Sequence, residues 1–418
     1  MITQRYLRYG IHKTKTMTRE EVNDICISKV DNSSFLLLEL CTGFGKTRES
    51  ILMVNHLVDT KYKGKHTSML LLVAKTVHKQ TWRDEFAKWG GIHVDSLTIE
   101  CYESLKKHEG ESFDIVVMDE VHHVGSDARL DSLKTLKFGN VIGLSATIPK
   151  KLKSYLQYEY HAEIISCNVT EAIESDVLPE PQIVLFPLQL DRTKPTEAIE
   201  INPKAKGKVY YAPYAKMWDY KKMKVHAIIS CTQRQKVNEY DRQIEYEKKR
   251  YMVTRQEFMK NKWLFDCGER IKYLANLKTS MVNFILYKLK NERTITFCKT
   301  IEQAELVGKF AIHSKNKDSN TIYKMFNNKE INHITSVNIL NENANLVDCK
   351  YAIFANYSSS ESVALQRLGR SLRHRSPVII MPYYEKTREE EIVKDMIGNF
   401  NKDCIHVIHN LRELDNFI

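Results

Sequence analysis

The sequence has no long run of apolar residues. Its unbroken apolar stretches, such as residues 69–74, are much shorter than the roughly 18 to 20 residues of a membrane span. The first five residues, Met1-Ile2-Thr3-Gln4-Arg5, contain no apolar signal-peptide core. These absences predict a protein without a membrane partner that stays in the cytoplasm of the cell that makes it.

Closely spaced cysteines are also missing. The nine cysteines are scattered along the 418 residues, and no close pair of them could begin a zinc knuckle. A zinc site is therefore not expected. An odd number of scattered cysteines in a cytoplasmic chain predicts reduced thiols, most of which fill hydrophobic cores.

Acidic residues are scarce in one segment in particular. Between residues 204 and 262 the sequence has sixteen Lys and Arg but six Asp and Glu, so most of the net charge of +11 lies there. Hydrophobic residues from Met217 to His226 recur at three- and four-residue steps, which predicts helix. The segment 201–262 is therefore predicted to be a basic helical arm. It could touch a nucleic-acid backbone or wedge at a strand junction, or simply join two domains as a solvated hairpin.

A glycine-rich turn follows the apolar run at residues 35–38 and precedes a predicted helix. Its glycines let backbone N–H groups point at phosphate oxygens, and the helix adds the positive end of its dipole. Lys46 is placed to reach the β- and γ-phosphates, and Thr47 to bind Mg²⁺. Leu40 stands where the general phosphate-loop pattern has a glycine, and a polar turn at a strand end is the alternative. The predicted nucleotide-binding residues are Thr42, Gly43, Phe44, Gly45, Lys46, Thr47 and Arg48.

Two acidic residues follow a later apolar stretch, the four residues 115–118. Asp119 and Glu120 are thus predicted at the carboxyl edge of a buried strand, where open α/β sheets bind ligands. In such a pair Asp119 holds Mg²⁺ and Glu120 polarises the attacking water. An acidic pair that merely ends a strand is the alternative. His122 has no second ligand at metal spacing, so we expect it to couple the nucleotide state to a neighbouring motif.

The order of these segments resembles that of superfamily 2 helicases. The Gly-Lys-Thr turn matches motif I, the Asp-Glu-x-His box matches motif II, and Ser145-Ala146-Thr147 matches motif III. The text Gln-x-x-Gly-Arg-x-x-Arg, which begins at Gln366, matches motif VI. Within the superfamily the sequence is most similar to the DEAH-like group, which includes type III restriction-type motors and UvsW-type phage DNA helicases.

This resemblance implies two RecA-like α/β domains with mostly parallel sheets, and ATP with Mg²⁺ bound between them. The predicted domains are residues 1–180, residues 181–200 together with 263–418, and the arm at 201–262. Catalytic roles are implied for Lys46, Asp119, Glu120, Gln366, Arg370 and Arg373, although a basic surface helix is the alternative for the last two. Coupling roles are implied for His122, Ser145, Ala146, Thr147, Glu342 and Asn345, where Asn343 replaces the usual glycine of motif V.

The resemblance also implies contacts with nucleic acid at the ends of several strands. For the stretch after residues 68–74, a solvated helix start with Trp82 and Trp89 packed inward is the alternative. The residue that recognises adenine stays open among Gln4, Arg5 and Arg19. The implied nucleic-acid contacts are Lys75, Thr76, His78, Lys79, Tyr102, His313 and Thr335.

The function implied by the resemblance is that of an ATP-dependent DNA helicase or translocase. It would act on forked or single-stranded DNA in replication, recombination or repair. An RNA helicase, or a translocating motor subunit that does not separate strands, remains an alternative. Abundant Lys, Asn, Ile and Tyr suit an AT-rich genome such as a phage's, in which case the protein would work in the host cytoplasm. No nuclease constellation is evident in the sequence, and protein partners stay open.

Overall fold

The fold consists of two compact units that divide between Pro181 and Gln182. The first unit contains most of the chain up to residue 181, together with 346–350 and 374–377, and the second contains most of the remainder. Both are seen in a computed structural model. It describes residues 19–201, 215–219, 224–337, 346–357, 374–398 and 400–418.

The first unit is built on a six-stranded sheet in which all neighbouring strands are parallel. The central strands are nearly continuous apolar runs because almost every one of their residues is buried. The strands are β1 (Phe35–Leu40), β2 (Ser68–Val73), β3 (Ser96–Cys101), β4 (Ser112–Asp119), β5 (Lys137–Ser145) and β6 (Glu163–Cys167), in the order β3-β2-β4-β5-β1-β6.

Six helices accompany this sheet in the described part of the unit, and a large core lies between strands and helices. That core joins Phe35 and Leu37 of β1 to Val116 and Met118 of β4 and to Leu152. The helices are α1 (Arg19–Asn32), α2 (Lys46–Asp59), α3 (Thr76–Lys88), α4 (Asp127–Thr135), α5 (Lys150–Tyr160) and α6 (Val169–Glu174), with 3₁₀ turns at Tyr102–His108 and Val121–Gly125.

The second unit begins with β7 (Gln182–Leu188) and then forms a small antiparallel sheet that the sequence analysis does not predict. Its strands are β8 (Glu197–Ile201), β9 (Ala215–Asp219) and β10 (Lys224–Cys231), in the order β8-β10-β9. The prediction of helix in this part of the basic arm is therefore wrong. Val225, Ala227, Ile229 and Cys231 alternate with a period of two, which is a strand signal.

The second half of the predicted arm is helical. Helices α7 (Gln233–Thr254) and α8 (Glu257–Leu277) pack against each other as a long hairpin. A capping box at Thr232 begins α7, since its side chain accepts from Gln235 N and the Gln235 side chain accepts from Thr232 N. The predicted limit between arm and second domain, at residues 262 and 263, lies inside α8.

A seven-stranded parallel sheet forms the core of the second unit. Its order is β12-β13-β11-β14-β15-β7-β16. Strand β7, at the start of the unit, therefore pairs with β15 and β16 from the end of the chain. The remaining elements are α9 (Thr279–Lys288), β11 (Thr294–Phe297), α10 (Ile301–Val307), β12 (Ala311–Ile312), α11 (Ser319–Asn327), β13 (His333–Ser336), β14 (Tyr351–Phe354), β15 (Val378–Tyr384), α12 (Arg388–Ile397) and β16 (Ile405–Val407), with 3₁₀ turns at Lys402–Cys404 and Glu413–Phe417.

The two large sheets confirm the predicted fold class of two RecA-like α/β domains with mostly parallel strands. All nine cysteines lie among the described residues, and none of them forms a disulfide. Within the described ranges, no helix combines the length and the apolar character that crossing a membrane requires.

A buried ion pair lies in the second unit, where α8 ends and α9 begins. Lys278 is fully buried between the two helices, and its Nζ donates to Glu389 Oε1 of α12 at 2.5 Å. The ammonium also lies 4.7 Å from the centre of the Tyr357 ring. Burial lowers the pKa of Lys278, while the Glu389 carboxylate opposes this shift.

Candidate functional site

The glycine-rich turn joins β1 to α2 at the carboxyl end of the first sheet. Gly43 and Gly45 both have left-handed backbone, with φ of 94° and 112°. A side chain is strained at such angles, so glycine is needed here for its backbone freedom. Leu40, where a glycine was expected, is the fully buried last residue of β1. The short form of the phosphate loop therefore begins after the strand, at Cys41.

Lys46 is the first residue of α2 and its side chain turns back over the loop. Its Nζ donates to the main-chain oxygens of Leu40, at 2.9 Å, and of Cys41, at 3.3 Å. The ammonium is also near enough to Glu120 to affect the pKa of that carboxyl. The loop, the start of α2 and an acidic strand end therefore converge at one place.

Asp119 ends β4 and is buried, and two aromatic residues hold it. Trp82 of α3 donates its indole N–H to Asp119 Oδ2 at 2.8 Å. The hydroxyl of Tyr102 donates to the main-chain oxygen of Asp119 at 2.9 Å. Both the carboxylate and the backbone of this residue are therefore fixed by neighbours from other segments.

Glu120 turns the chain out of β4 with left-handed backbone, at φ 53°. Non-glycine residues adopt this conformation rarely, and strain of this kind is concentrated at functional sites. The carboxylate oxygen Oε2 lies 3.4 Å from His122 Nδ1 and 3.2 Å from Ser145 Oγ. Burial by itself would raise the pKa of Glu120, but His122, Lys46 and Ser145 together lower it to about 2. The side chain is therefore an ionised carboxylate at neutral pH.

Ser145 connects the acidic pair to the next predicted motif. Its Oγ lies 3.1 Å from His122 Nδ1 and 2.8 Å from the main-chain oxygen of Thr147, so the predicted coupling residues of this unit meet in one cluster. Glu39, at the end of β1, accepts from the main-chain N–H of Ile148 at 2.9 Å and pairs with Lys153. The strand ends of β1, β4 and β5 are thus tied together by polar contacts.

The donors at this edge fit a nucleotide with Mg²⁺. The candidate metal ligands Thr47 and Asp119 supply only oxygen atoms, which hard divalent cations prefer. In the part of the chain that the structure describes, no group of three or more His, Cys, Asp or Glu side chains could hold a metal by itself. Mg²⁺ commonly completes its shell with water and substrate phosphates, so a site of this kind needs the nucleotide as well.

The predicted nucleic-acid residues of the first unit differ in exposure. Lys75 and Thr76 are exposed at the start of α3, and Lys79 is half-buried and paired with Glu100 at 3.0 Å. His78 is buried on the inner face of α3, and Tyr102 is buried beneath Asp119. The surface therefore offers the first three residues to a ligand, while His78 and Tyr102 face the interior.

In the second unit both predicted nucleic-acid residues of the described chain are buried. Thr335, in β13, donates its hydroxyl to the main-chain oxygen of Ala304 at 3.0 Å. His313 follows β12, and its Nε2 lies 3.4 Å from Glu305. Several other predicted residues lie outside the described chain. They are Glu342, Asn345, Gln366, Arg370 and Arg373, together with the adenine candidates Gln4 and Arg5.

The sequence analysis missed one residue of this site. It allowed that Trp82 packs inward, but gave the indole no link to Asp119. His78, Trp82 and Phe86 are four residues apart and form the buried face of α3. That spacing shows which way Trp82 points. The position of α3 over β4 is a tertiary fact that no local pattern contains.

Comparisons with known proteins agree with this architecture. A family model described as helicase conserved C-terminal domain matches residues 277–375. That range includes the predicted motifs V and VI. Among curated protein sequences, none matches this chain significantly.

Three solved structures are similar to this chain to different degrees. The ATP-dependent type ISP restriction-modification enzyme LlaBIII bound to DNA has a TM-score of 0.56 at 12% identity, over 97% of this chain and 32% of that one. The chain thus spans about a third of the length of that enzyme. The Pyrococcus furiosus Hef helicase domain gives 0.46 at 14% identity, over 90% and 97% of the two chains. A DEAD box protein from Methanococcus jannaschii gives 0.44 at 11%, over 92% and 91%.

These findings define a class. Residues 277–375 match the helicase conserved C-terminal domain, and the chain has the RecA-like fold that its resemblance to superfamily 2 helicases implies. The resemblance of its sequence to that superfamily is therefore confirmed.

Proposed function

We propose that this protein is an ATP-driven helicase or translocase that acts on forked or single-stranded DNA in replication, recombination or repair. The observation that carries the proposal is the edge of the first sheet. There Lys46 and an ionised Glu120 lie beside a glycine turn and the start of α2. A phosphate chain would meet backbone N–H groups and an ammonium, next to a carboxylate that accepts hydrogen bonds from water.

The residues of the first unit divide the work. Lys46 and the amides of the loop bind the phosphates of ATP, and Thr42, Phe44 and Arg48 complete the cradle. Mg²⁺, when bound, neutralises phosphate charge, and Thr47 and Asp119 are the side chains that would hold it. Glu120 accepts a hydrogen bond from the attacking water and so orients it. Because Glu120 also contacts His122 and Ser145, a change at the phosphate reaches the Ser145-Ala146-Thr147 segment.

The predicted second domain, residues 181–200 together with 263–418, supplies the remaining functional groups. Gln366, Arg370 and Arg373 stabilise the charge on the γ-phosphate, and Glu342 and Asn345 couple that state to nucleic acid. The match of residues 277–375 to the helicase conserved C-terminal domain supports these assignments, because it spans all five positions. Hydrolysis that alternates with changes of grip on a strand produces movement along it, and unwinding if a junction is in the path.

We favour DNA as the substrate because the chain shares the fold of LlaBIII, whose structure was solved with the enzyme bound to DNA. The hairpin of α7 and α8 adds a suitable surface for a polyanion. Lys248, Lys249 and Arg255 are exposed there, and the Tyr251 and Trp263 rings stack with centroids 6.0 Å apart. Basic side chains attract phosphates without sequence preference, and aromatic rings can stack on bases.

The test of the proposal is steady-state ATP hydrolysis at one fixed salt concentration. The chain is assayed alone and with single-stranded DNA, forked DNA, duplex DNA or single-stranded RNA. We expect stimulation by forked or single-stranded DNA above that by RNA. Stimulation mainly by RNA would favour an RNA helicase, and stimulation by duplex DNA without unwinding would favour a translocating motor. No hydrolysis under any condition would contradict the proposal.

The contribution of the hairpin can be measured separately. The triple variant Lys248→Gln, Lys249→Gln and Arg255→Gln should bind DNA more weakly. The magnitude of its slope of log affinity against log salt should be lower by about 2 to 3, because fewer counterions are released on binding when three phosphate contacts are lost. The matched control is Lys63→Gln, Lys65→Gln and Lys137→Gln, which removes three exposed lysines of the first unit. An equal slope in both triple variants would reduce the hairpin to a connection between domains.

A further inference from the structure

Two aromatic residues from different segments converge on Asp119. Trp82 is 2% exposed and reaches Asp119 Oδ2 from α3, and Tyr102 is 1% exposed and reaches the main-chain oxygen from the 3₁₀ turn after β3. These two segments are also ones in which the resemblance implies contacts with nucleic acid. Each of these two segments thus has a hydrogen bond to Asp119, the residue predicted to hold Mg²⁺: Trp82 donates to its carboxylate and Tyr102 to its main-chain oxygen.

Helix α3 connects its surface to that carboxylate directly. Thr76 is exposed in its first turn, with Lys75 just before it, while Trp82 lies on the buried face about one and a half turns further on. A helix moves as a rigid unit over such a short distance. A displacement of the first turn by a bound phosphate would therefore shift the indole that donates to Asp119.

The chemistry of the bond suits a positioning role. An indole N–H can only donate, so it always offers Asp119 a donor and does not compete for a cation. Hydrogen bonds to ionised groups are stronger than those between neutral groups. A fixed Oδ2 leaves the carboxylate less freedom to rotate, and partners that orient a metal ligand commonly affect metal affinity by 10- to 100-fold.

We infer that Trp82 is a positioning residue that orients Asp119 for Mg²⁺ and links the surface of α3 to the metal site, with Tyr102 supporting the backbone of the same residue. The inference rests on the proposed function, which it deepens by naming the side chains that transmit nucleic-acid binding to the site of hydrolysis.

The first measurement avoids turnover. Mn²⁺ is titrated into the full-length chain with ADP, and bound metal is followed by electron paramagnetic resonance. We expect Trp82→Phe, which keeps an aromatic ring but loses the donor, to weaken Mn²⁺ binding about tenfold. The matched control is Trp89→Phe. Trp89 lies just after the same helix and donates its indole N–H to Glu85 Oε2 at 2.7 Å, a carboxylate without a role at the site. The Trp89→Phe variant should bind Mn²⁺ like the wild type.

The second measurement tests the link to nucleic acid. At saturating Mg²⁺, the ratio of DNA-stimulated to unstimulated ATP hydrolysis should fall about fivefold or more in Trp82→Phe, with little change in DNA affinity. Simple loss of packing would lower both rates together and leave the ratio unchanged. Tyr102→Phe removes only a hydroxyl and should weaken Mn²⁺ binding by about threefold. If Trp82→Phe does not fold, as judged by circular dichroism, Mn²⁺ binding by Tyr102→Phe tests the inference instead.

The outcomes separate the two levels of interpretation. Wild-type Mn²⁺ affinity and a wild-type stimulation ratio in folded Trp82→Phe would overturn the inference and make Trp82 a core residue only. If Trp82→Phe is unfolded, wild-type values in Tyr102→Phe would overturn it equally. A wild-type chain that binds neither Mn²⁺ with ADP nor ATP would overturn the proposed function itself, and the inference with it.

Discussion

The two parallel sheets of this protein each have buried charges beside them, but the charges are used differently. In the first unit Asp119 and Glu120 are buried at a strand end, and their contacts include an indole, a hydroxyl and a histidine. In the second unit Lys278 and Glu389 are buried as a pair of opposite sign. The first arrangement brings two carboxyl groups together, whereas the second pairs one charge with its opposite.

This difference separates a site from a structural support. Two neighbouring carboxylates in a low-dielectric setting repel each other and gain from a cation, so the first arrangement favours a bound metal or a positive substrate group. A buried pair of opposite charges does not need an added cation. Removing one partner leaves the other charge buried and unpaired, which is destabilising. We therefore expect changes in the first unit to affect activity and changes in the second to affect stability.

Glu120→Gln should produce the largest effect. The amide keeps the shape of the side chain but cannot polarise water as a carboxylate does, so ATP turnover should fall by about 10² to 10⁴. Lys46→Ala should lose turnover as well, because the phosphate loop loses its ammonium. The affinity of both variants for nucleic acid should remain close to that of the wild type. Turnover is measured by phosphate release.

The control for this pair is Glu174→Gln, an exposed glutamate at the end of α6 in the same unit. It should hydrolyse ATP at the wild-type rate. Hydrolysis preserved in both Lys46→Ala and Glu120→Gln would remove the site from the edge of the first sheet.

Lys278→Met should give the reverse pattern. The variant leaves the Glu389 carboxylate buried without its cation, which costs about 3 to 5 kcal/mol of unfolding free energy. Urea denaturation of the full chain measures this loss, while the KM for ATP of the folded protein should change little. A second substitution, Glu389→Gln, removes the stranded charge and should recover part of the stability.

An exposed ion pair in the same unit provides the comparison. Lys288 of α9 pairs with Asp415 at 2.5 Å, and the aspartate is 60% exposed. Lys288→Met should therefore cost less than about 1 kcal/mol. Equal losses for Lys278→Met and Lys288→Met would mean that burial does not decide how much an ion pair of this unit contributes to stability.

A further expected effect, confined to acidic pH, is a pH dependence of stability in the first unit. The pKa of Glu120 is lowered to about 2 in the folded chain, from an ordinary value of 4.5. The ionised side chain therefore contributes stability that is complete above about pH 5 and is lost as the pH falls from about 4.5 towards 2. The difference in unfolding free energy between wild type and Glu120→Gln should be constant from pH 7 to about 5.

Ser145→Ala sharpens this test. It removes one of the hydrogen bonds that lower the pKa of Glu120 in the folded chain, so the loss of stability on acidification should be smaller in total and should be complete at a higher pH than in the wild type. If the difference in unfolding free energy between wild type and Glu120→Gln already shrinks near pH 6, the pKa of Glu120 is not lowered in the folded chain.

Much of the first unit could be predicted because its strands are continuous apolar runs that end in polar residues. Leu36 to Leu38, Leu70 to Leu72 and Val116 to Met118 are buried on every side, so their hydrophobicity is visible without any alternation. The glycines and Lys46 follow one such run directly, and Asp119 follows another. Local sequence is sufficient there, since each motif and its strand are contiguous.

The basic segment shows where local pattern was insufficient. From Met217 onward, hydrophobic residues satisfy both a helical and an alternating spacing over short distances, and the helical reading was wrong for β9 and β10. Pairing with neighbouring strands decides between helix and strand in this segment. β10 is bonded to β8 and β9 along its length, and these hydrogen bonds stabilise strand over helix.

The chain itself carries the order of its motifs, the residue types that bind phosphate and metal, and the strands that present them. Only folding decides that β1 lies between β5 and β6 and that β4 lies next to β5, which brings Lys46, Glu120 and Ser145 to one edge. It also brings Trp82 onto Asp119, 37 residues along the chain. Such contacts depend on how distant strands and helices pair and pack, and that free energy belongs to the assembled unit, not to any one segment.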